Sequence, residues 1–168
     1  MNDDSNIQVK KVWKILETVM DPEVPVLSIT DLGIVRDVKI DASNKIKITI
    51  TPTYTGCPAM DVINMNMRMV LLENGFKDFE IKNILSPAWT TDWMSEAGKQ
   101  KLKAYGIAPP NPKQIVCTID AFQEEEAIQC PHCNSYNTQL ISRFGSTACK
   151  ALYKCNNCFE PFDYFKCH

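Results

Sequence analysis

The chain has 168 residues, a formal net charge of -2, 45% hydrophobic residues and 23% charged residues, which are ordinary values for a globular protein. Its charge gives no electrostatic argument for a nucleic-acid partner, and its longest apolar run, Met69 to Leu72, is far shorter than the roughly 20 residues of a membrane-spanning helix. The polar N-terminus lacks a secretory signal pattern, so we expect a cytoplasmic protein whose eight cysteines are metal ligands, reactive thiols or packed side chains rather than disulfides.

Helical and strand patterns alternate along the first two thirds of the chain. The predicted elements, in chain order, are a helix over 9–20, strands over 34–40 and 45–51 that form a hairpin, a helix from Gly56-Cys57-Pro58 to Gly75, a strand over 79–85 and a helix over 92–105. Asp92 is placed to cap the last helix and Gly106 to end it. This order, α-β-β-α-β-α, predicts an α+β protein whose residues 1–107 form a compact two-layer α/β domain.

The remaining third of the chain is predicted to be a linker and a small module. Prolines at 109, 110 and 112 mark a linker over residues 108–128, in which we expect one short strand, Gln114 to Ile119, and a solvated acidic run, Glu124 to Glu126. Residues 129–168 are predicted to be rich in β-structure, with strands over 138–144, 150–154 and 161–166.

Four cysteines in this module have the spacing of a metal site. Two C-x-x-C pairs are separated by 21 residues, which is typical of a zinc ribbon, and their members are Cys130, Cys133, Cys155 and Cys158. Because so short a module buries little apolar surface, a structural metal ion must supply much of its folding free energy. We expect zinc rather than a rubredoxin-like iron because nothing in the sequence indicates a redox partner.

The backbone after each pair distinguishes the two turns. Asn134 follows the first pair and tolerates a left-handed conformation, whereas Phe159 follows the second and disfavours it. We therefore expect the second turn to be the less regular one. Cys149, Cys167 and His168 also lie in this region but outside the paired spacing. We interpret them as packed or terminal residues, with a secondary metal site or an exchange of ligands as the alternative.

Cys57 stands apart from this module at the start of the second predicted helix. It lies between Gly56 and Pro58, which places it at the cap position, where the helix dipole favours a thiolate. A thiolate there is able to bind a soft metal or attack an electrophile, although a simple capping role is the plainer interpretation. No histidine is placed to serve as its base, so ordinary nucleophilic catalysis is poorly supported.

Several polar residues flank this thiol in the predicted fold. Asp21 and Glu23 lie in the loop after the first helix, Asp31 lies in the turn before the first strand, and Thr51 and Thr53 lead towards Gly56. Taken singly, each is a common turn, helix-end or strand residue. Together they are candidates to support a site around Cys57.

Three sequence segments resemble a known domain family. The runs Asp21-Pro22-Glu23-Val24-Pro25, Asp31-Leu32-Gly33-Ile34-Val35 and Gly56-Cys57-Pro58 are similar to the SufT-like iron-sulfur assembly domain, the MIP18/DUF59 domain, over residues 7 to 105. The resemblance implies a role in iron-sulfur cluster assembly or delivery, with Cys57 as the reactive or cluster-binding thiol. It also implies that iron or a cluster binds only transiently.

The whole chain resembles a narrower family, the PaaD family, which is the D component of the phenylacetyl-CoA epoxidase, or ring 1,2-epoxidase, system. The added match rests on the runs Phe144 to Tyr153 and Glu160 to Cys167. It implies an accessory or maturation component in aerobic phenylacetate degradation rather than a catalytic subunit, and the sequence has neither the Glu-x-x-His pairs of a di-iron oxygenase nor a dinucleotide fingerprint.

Two functions remain open from the sequence. The first is an assembly factor that handles iron or a cluster through Cys57 and docks an iron-sulfur client or another epoxidase subunit through the ribbon. The second is a non-catalytic structural subunit or docking adaptor of the epoxidase, and the sequence also admits a homodimer. A nucleic-acid-binding ribbon is disfavoured because the charge of about -2 on a four-thiolate zinc site cancels the small basic surplus of residues 130–168.

Overall fold

The structure, a computed structural model, describes residues 2–110 and 128–166. Its elements are α1 (Asn2–Leu16), β1 (Val35–Ile40), β2 (Ile46–Ile50), α2 (Ala59–Glu73), β3 (Phe79–Asn83), a 3-10 turn (Thr91–Trp93), α3 (Glu96–Ala104), β4 (Ile107–Ala108), β5 (Thr138–Ser142), β6 (Lys150–Cys155) and β7 (Pro161–Phe165). The chain divides into two compact units, residues 1–98 and 99–168, so α3 crosses the division. The predicted domain bounds of 1–107, 108–128 and 129–168 stay a prediction.

The first unit is a three-stranded sheet with helices against it. β1 and β2 form the predicted antiparallel hairpin, and β3 pairs with β2 in parallel, giving the order β1-β2-β3. In β2 the side chains of Ile46, Ile48 and Ile50 are buried while Lys47 is exposed, the alternation of a sheet covered on one face. α1 packs against β1 and α2, and the predicted α+β class is confirmed.

The two outer helices differ from their predicted bounds. The periodicity predicts the first helix over 9–20, but α1 ends at Leu16. Beyond that end the chain is no longer helical, and Met20 forms an isolated antiparallel β-bridge with Ser28. Val19 is still buried there, so its apolar character reflects burial and not helical periodicity. The predicted capping of a helix by Asp92 is wrong: Asp92 lies inside the 3-10 turn, and α3 begins at Glu96.

The second unit is a four-stranded sheet of order β4-β7-β6-β5. β5, β6 and β7 are antiparallel neighbours at the predicted strand positions, and β4 adds a short parallel edge beside β7. Residues 107–108 are therefore a strand, although the prolines predict that a linker begins at residue 108. Pro109 ends the strand because it has no N–H to donate. The expected strand Gln114 to Ile119 and the acidic run Glu124 to Glu126 lie outside the described residues.

The core of this unit includes two of the candidate metal ligands. Its buried members are Ala108, Ile128, Cys130, Ala151, Cys155, Phe162 and Tyr164. The ring of Tyr153 stacks on Phe162 at a centroid distance of 5.9 Å and meets Tyr164 edge-on at 5.8 Å. So small an apolar cluster leaves much of the stability to the metal site. Among the described residues, no helix is both long and apolar enough to cross a membrane.

Candidate metal centre and thiol site

The four cysteines of the C-x-x-C pairs come together at one end of the second unit. Their Sγ atoms all lie within 4.8 Å of one another, with 3.7 Å between Cys130 and Cys158 and 3.5 Å between Cys133 and Cys155. A tetrahedral zinc ion with Zn–S bonds of about 2.3 Å requires sulfur–sulfur distances of about 3.8 Å. The donor set and its spacing therefore fit a four-thiolate zinc ion.

Each cysteine pair sits in a turn of the same construction. The backbone N–H of the first cysteine donates to the carbonyl five residues later, from Cys130 to Ser135 at 2.8 Å and from Cys155 to Glu160 at 3.0 Å. In both turns the fifth residue has a positive φ, which is 62° at Asn134 in the first turn. The two turns thus present their sulfur atoms from equivalent backbones.

The expectation that the second turn is the less regular one is wrong. Phe159 has a φ of 65°, almost the value of Asn134, although a left-handed conformation is unfavourable for a residue with a large side chain. Its ring is also 70% exposed, so little packing offsets the strain. The closed cysteine turn imposes this conformation on whichever residue follows the pair.

Backbone donors in the second turn favour the thiolate form of Cys155. The N–H groups of Cys158 and Asn157 point at the Cys155 Sγ, at 3.5 Å and 3.4 Å, and they lower the pKa of that thiol from 9.0 to about 6. Such donors also orient metal-bound sulfur. At neutral pH the Cys155 thiol is therefore mostly in the thiolate form that binds a metal cation.

Cys57 lies in the other unit, just before α2. Its side chain is half-buried, its N–H donates to Tyr54 O at 3.3 Å and its carbonyl accepts from Met60 N at 3.2 Å. The N-cap of α2 is Pro58, so the prediction that Cys57 occupies the cap position is wrong by one residue. Pro58 has a helical backbone conformation, with φ −68° and ψ −22°, and its missing N–H costs no hydrogen bond at the start of a helix.

The acidic residue Asp21 shapes the loop after α1. It is buried, and its Oδ1 accepts the backbone N–H of Glu23 and of Val24, each at 2.8 Å. Glu23 itself is half-buried. These contacts give Asp21 a structural role in the Asp-Pro-Glu-Val-Pro segment, while a role for Asp21 and Glu23 beside Cys57 stays a prediction.

Asp31 ties together two loops of the first unit. Its Oδ2 accepts from Ser28 N at 3.2 Å and Ser28 Oγ at 3.0 Å, and its Oδ1 accepts from Ser95 Oγ at 2.9 Å. Sequence reasoning missed both serines. Ser28 and Asp31 have the Ser-x-x-Asp spacing of a capping box, which could have indicated the first contact, whereas Ser95, 64 residues away, belongs to no local pattern. The supporting role predicted for Asp31 at a thiol site remains untested.

Thr51 and Thr53 are both buried where the chain leaves β2. Thr51 donates its backbone N–H to Ile34 O at 2.9 Å, but its Oγ1 has no hydrogen-bond partner among the described residues. Leaving a buried hydroxyl unsatisfied costs roughly 1–3 kcal/mol. Such a group marks a place where a water molecule, an ion or a ligand is expected.

Cys149 is buried but is not one of the four clustered sulfurs, and its Sγ lies 3.0 Å from Thr147 Oγ1. Its interpretation as a packed residue fits this position. The other two residues of that interpretation, Cys167 and His168, lie outside the described residues.

Two family models match successive parts of the chain. A model described as "Iron-sulfur cluster assembly protein" matches residues 10–75, and one described as "PaaD zinc beta ribbon domain" matches residues 116–166. A relative from Escherichia coli, named as the D component of 1,2-phenylacetyl-CoA epoxidase, is 48% identical over 160 residues, which cover 95% of this chain and 93% of that protein. The chain belongs to the PaaD family.

Other relatives of this PaaD family member match a smaller part of it. An "Fe-S protein maturation auxiliary factor" of Porphyromonas gingivalis is 35% identical, over 61% of this chain and 97% of its own length. A crystal structure of a DUF59 domain from Bacillus anthracis is 33% identical, with a TM-score of 0.55, over 59% of this chain and 94% of that chain. The first unit therefore has the DUF59 fold, and the family adds a ribbon to it.

Proposed function

We propose that this protein is an accessory maturation component of the phenylacetyl-CoA epoxidase system, and that it assists iron or iron-sulfur assembly of the oxygenase or the reductase. The observation that carries the proposal is the 48% identity to the Escherichia coli epoxidase component over 95% of the chain. Shorter relatives, which match about half to three fifths of the chain, are named maturation auxiliary factors. A cytoplasmic location belongs to the same proposal.

In this proposal Cys57 is the residue that handles the cargo, either an iron ion or a cluster. Its half-buried thiol is partly accessible to solvent, and cysteine thiolates are the usual protein ligands of iron-sulfur clusters. The Thr51 hydroxyl follows β2 and has no hydrogen-bond partner in the part of the chain that the structure describes, so it is a second candidate donor to a bound group in the same unit. Asp21, Glu23, Asp31 and Thr53 would support this site.

The ribbon, in contrast, is assigned a structural and docking role. One zinc ion held by Cys130, Cys133, Cys155 and Cys158 would stabilise it. Three aromatic side chains of this unit are 60–72% exposed: Tyr136, Phe144 and Phe159. Exposed aromatic residues are costly in water and are enriched at protein interfaces, so they support docking to another epoxidase subunit or to an iron-sulfur client.

The test is to mature the oxygenase and reductase beside variants of this protein in cells that lack the wild type. With Cys57→Ser, iron and acid-labile sulfide in the purified client should fall towards the level found without the protein. Thr55→Ala, an exposed residue of the same loop, is the matched control and should leave client loading unchanged. Full client loading with both variants would refute the role of Cys57.

The exposed aromatics also favour a second candidate, a permanent structural subunit or docking adaptor of the epoxidase. A structural subunit co-purifies with the oxygenase in a fixed ratio, whereas an assembly factor leaves once its client has matured. Size-exclusion chromatography of the mature complex separates the two, because only the structural subunit elutes with it.

A further inference from the structure

Three asparagine side chains join the two cysteine turns of the ribbon. In the antiparallel pairing of β5 with β6, the last pair is Thr138 with Cys155, so Asn137 and Asn156 come next outside the strands. The backbone N–H of Asn156 donates to Asn137 O at 2.8 Å, which extends the ladder by one bond into the second cysteine turn.

The side chain of Asn137 adds two more bonds at the same place. Its Oδ1 accepts from Asn156 Nδ2 at 3.0 Å, and its Nδ2 donates to Asn157 Oδ1 at 3.0 Å. Asn156 and Asn157 are the two residues between Cys155 and Cys158. One side chain, directly before β5, therefore binds both central residues of the second turn.

We propose that Asn137 is a positioning residue that holds the second cysteine turn closed and thereby sets how fast the ribbon releases its metal ion. The inference rests on the four-cysteine metal site of the proposed function. It goes beyond that function, since it assigns control of metal release to a residue that contributes no ligand.

The reason is geometric. Each turn supplies two of the four sulfur atoms, so the ion leaves after one turn swings away from the other. The second turn begins at Cys155, where the β5–β6 ladder ends, so we expect the turn to swing open at this point. Opening the turn requires breaking every hydrogen bond between Asn137 and the turn. Without the Asn137 side chain, only the backbone bond from Asn156 N to Asn137 O remains.

The expected size follows from the exposure of these side chains. Partners that orient metal ligands typically contribute about 10- to 100-fold to metal affinity. Asn137, Asn156 and Asn157 are all exposed, and water competes for their amides, so the effect belongs at the lower end. We expect metal release about 10-fold faster without the side chain.

The experiment uses the full-length protein loaded with zinc and challenged with an excess of a chromophoric chelator. Asn137→Ala should bind one zinc per chain and release it about 10-fold faster than wild type. Gln139→Ala, which removes an exposed amide from β5 two residues away, is the control and should release zinc at the wild-type rate. Equal rates for Asn137→Ala and wild type would overturn the proposal.

A second variant keeps the test decisive if Asn137→Ala does not fold. Asn157→Ala removes only the bond from Asn137 Nδ2, so it should accelerate release by a smaller factor, and no acceleration would count against the proposal. If the two amides act through their shared hydrogen bond, the double variant Asn137→Ala/Asn157→Ala should release zinc more slowly than the product of the two single-variant accelerations predicts. If the two substitutions instead cause independent structural damage, the two accelerations should multiply.

The same samples separate this proposal from the metal site itself. A wild-type protein that binds no zinc would overturn the four-cysteine site and the proposal that depends on it. A wild-type protein that binds one zinc, together with an Asn137→Ala protein of unchanged release rate, would overturn only the role of Asn137.

Discussion

Replacement of Phe159 by asparagine should stabilise the ribbon, although it deletes an aromatic side chain. A left-handed conformation costs a residue with a Cβ roughly 1–2 kcal/mol, and asparagine tolerates it best after glycine. A fully buried ring contributes roughly 1.5–3 kcal/mol through burial. Because Phe159 is 70% exposed, only a small share of that is lost on substitution, below about 1 kcal/mol. The net gain is about 0.5–1 kcal/mol.

The reciprocal change is the matched control. Asn134→Phe places a large side chain at the equivalent exposed position of the first turn, where φ is 62°, and should destabilise the ribbon by about 1 kcal/mol. A domain of this size shifts its melting temperature by about 4–8 °C per kcal/mol. The two variants should therefore move the ribbon's melting temperature in opposite directions by a few degrees.

The assay exploits the distribution of aromatic residues. All three tryptophans lie in the first unit, at 13, 89 and 93, so tryptophan fluorescence follows that unit, while zinc release on heating at saturating zinc follows the ribbon. Only the zinc signal should move. A lower ribbon melting temperature in Phe159→Asn would refute the assignment of strain to Phe159 and would show that its ring packs better than its exposure implies.

Two further predictions concern the first unit and the effect of pH. Gly33→Ala should destabilise the first unit by roughly 2–5 kcal/mol, because φ is +68° and an added Cβ would lie 2.3 Å from Trp93 O. Gly56→Ala, with φ +84° and no atom within 4 Å, should cost only about 1–2 kcal/mol. Denaturation followed by tryptophan fluorescence measures both losses, and equal losses would contradict the steric argument. Zinc affinity in competition titrations should weaken as the pH falls, because zinc displaces protons from thiols that are protonated in the metal-free ribbon, and burial and neighbouring thiols raise the pKa of Cys133 and of Cys158. The decrease should become steeper below about pH 6, where Cys155, whose pKa is lowered to about 6, also takes up a proton; an affinity that is constant from about pH 8 to about pH 5 would contradict this.

Spacing and periodicity were enough to predict the main elements and the cysteine cluster. Two C-x-x-C pairs converge because the strands between them pair, and the alternation in β2 shows its buried face directly. The start of the last helix is predicted too early because Asp92 suits the first turn of a 3-10 helix as well as a helix cap. Ser95, just before α3, instead bonds the distant loop at Asp31 through its N–H and its hydroxyl. Those contacts lie beyond the range of local sequence patterns.

The supporting residues of both sites were harder to predict for the same reason. The Asn137 side chain bonds a residue 19 positions away, and the Ser95 side chain bonds Asp31 across 64 residues. Phe159 adopts a left-handed backbone conformation that its side chain disfavours, so its residue type predicts the wrong conformation. Tertiary constraints decide such positions, and one chain without contacts does not reveal them.

We propose that the ribbon cysteines hold the resident metal ion and that Cys57 is a separate thiol for cargo. The two roles are distinguished by metal analysis of purified wild type and Cys57→Ser, side by side. We expect one zinc per chain in both proteins. Loss of zinc in Cys57→Ser would contradict it, because Cys57 would then be a ligand of the resident ion.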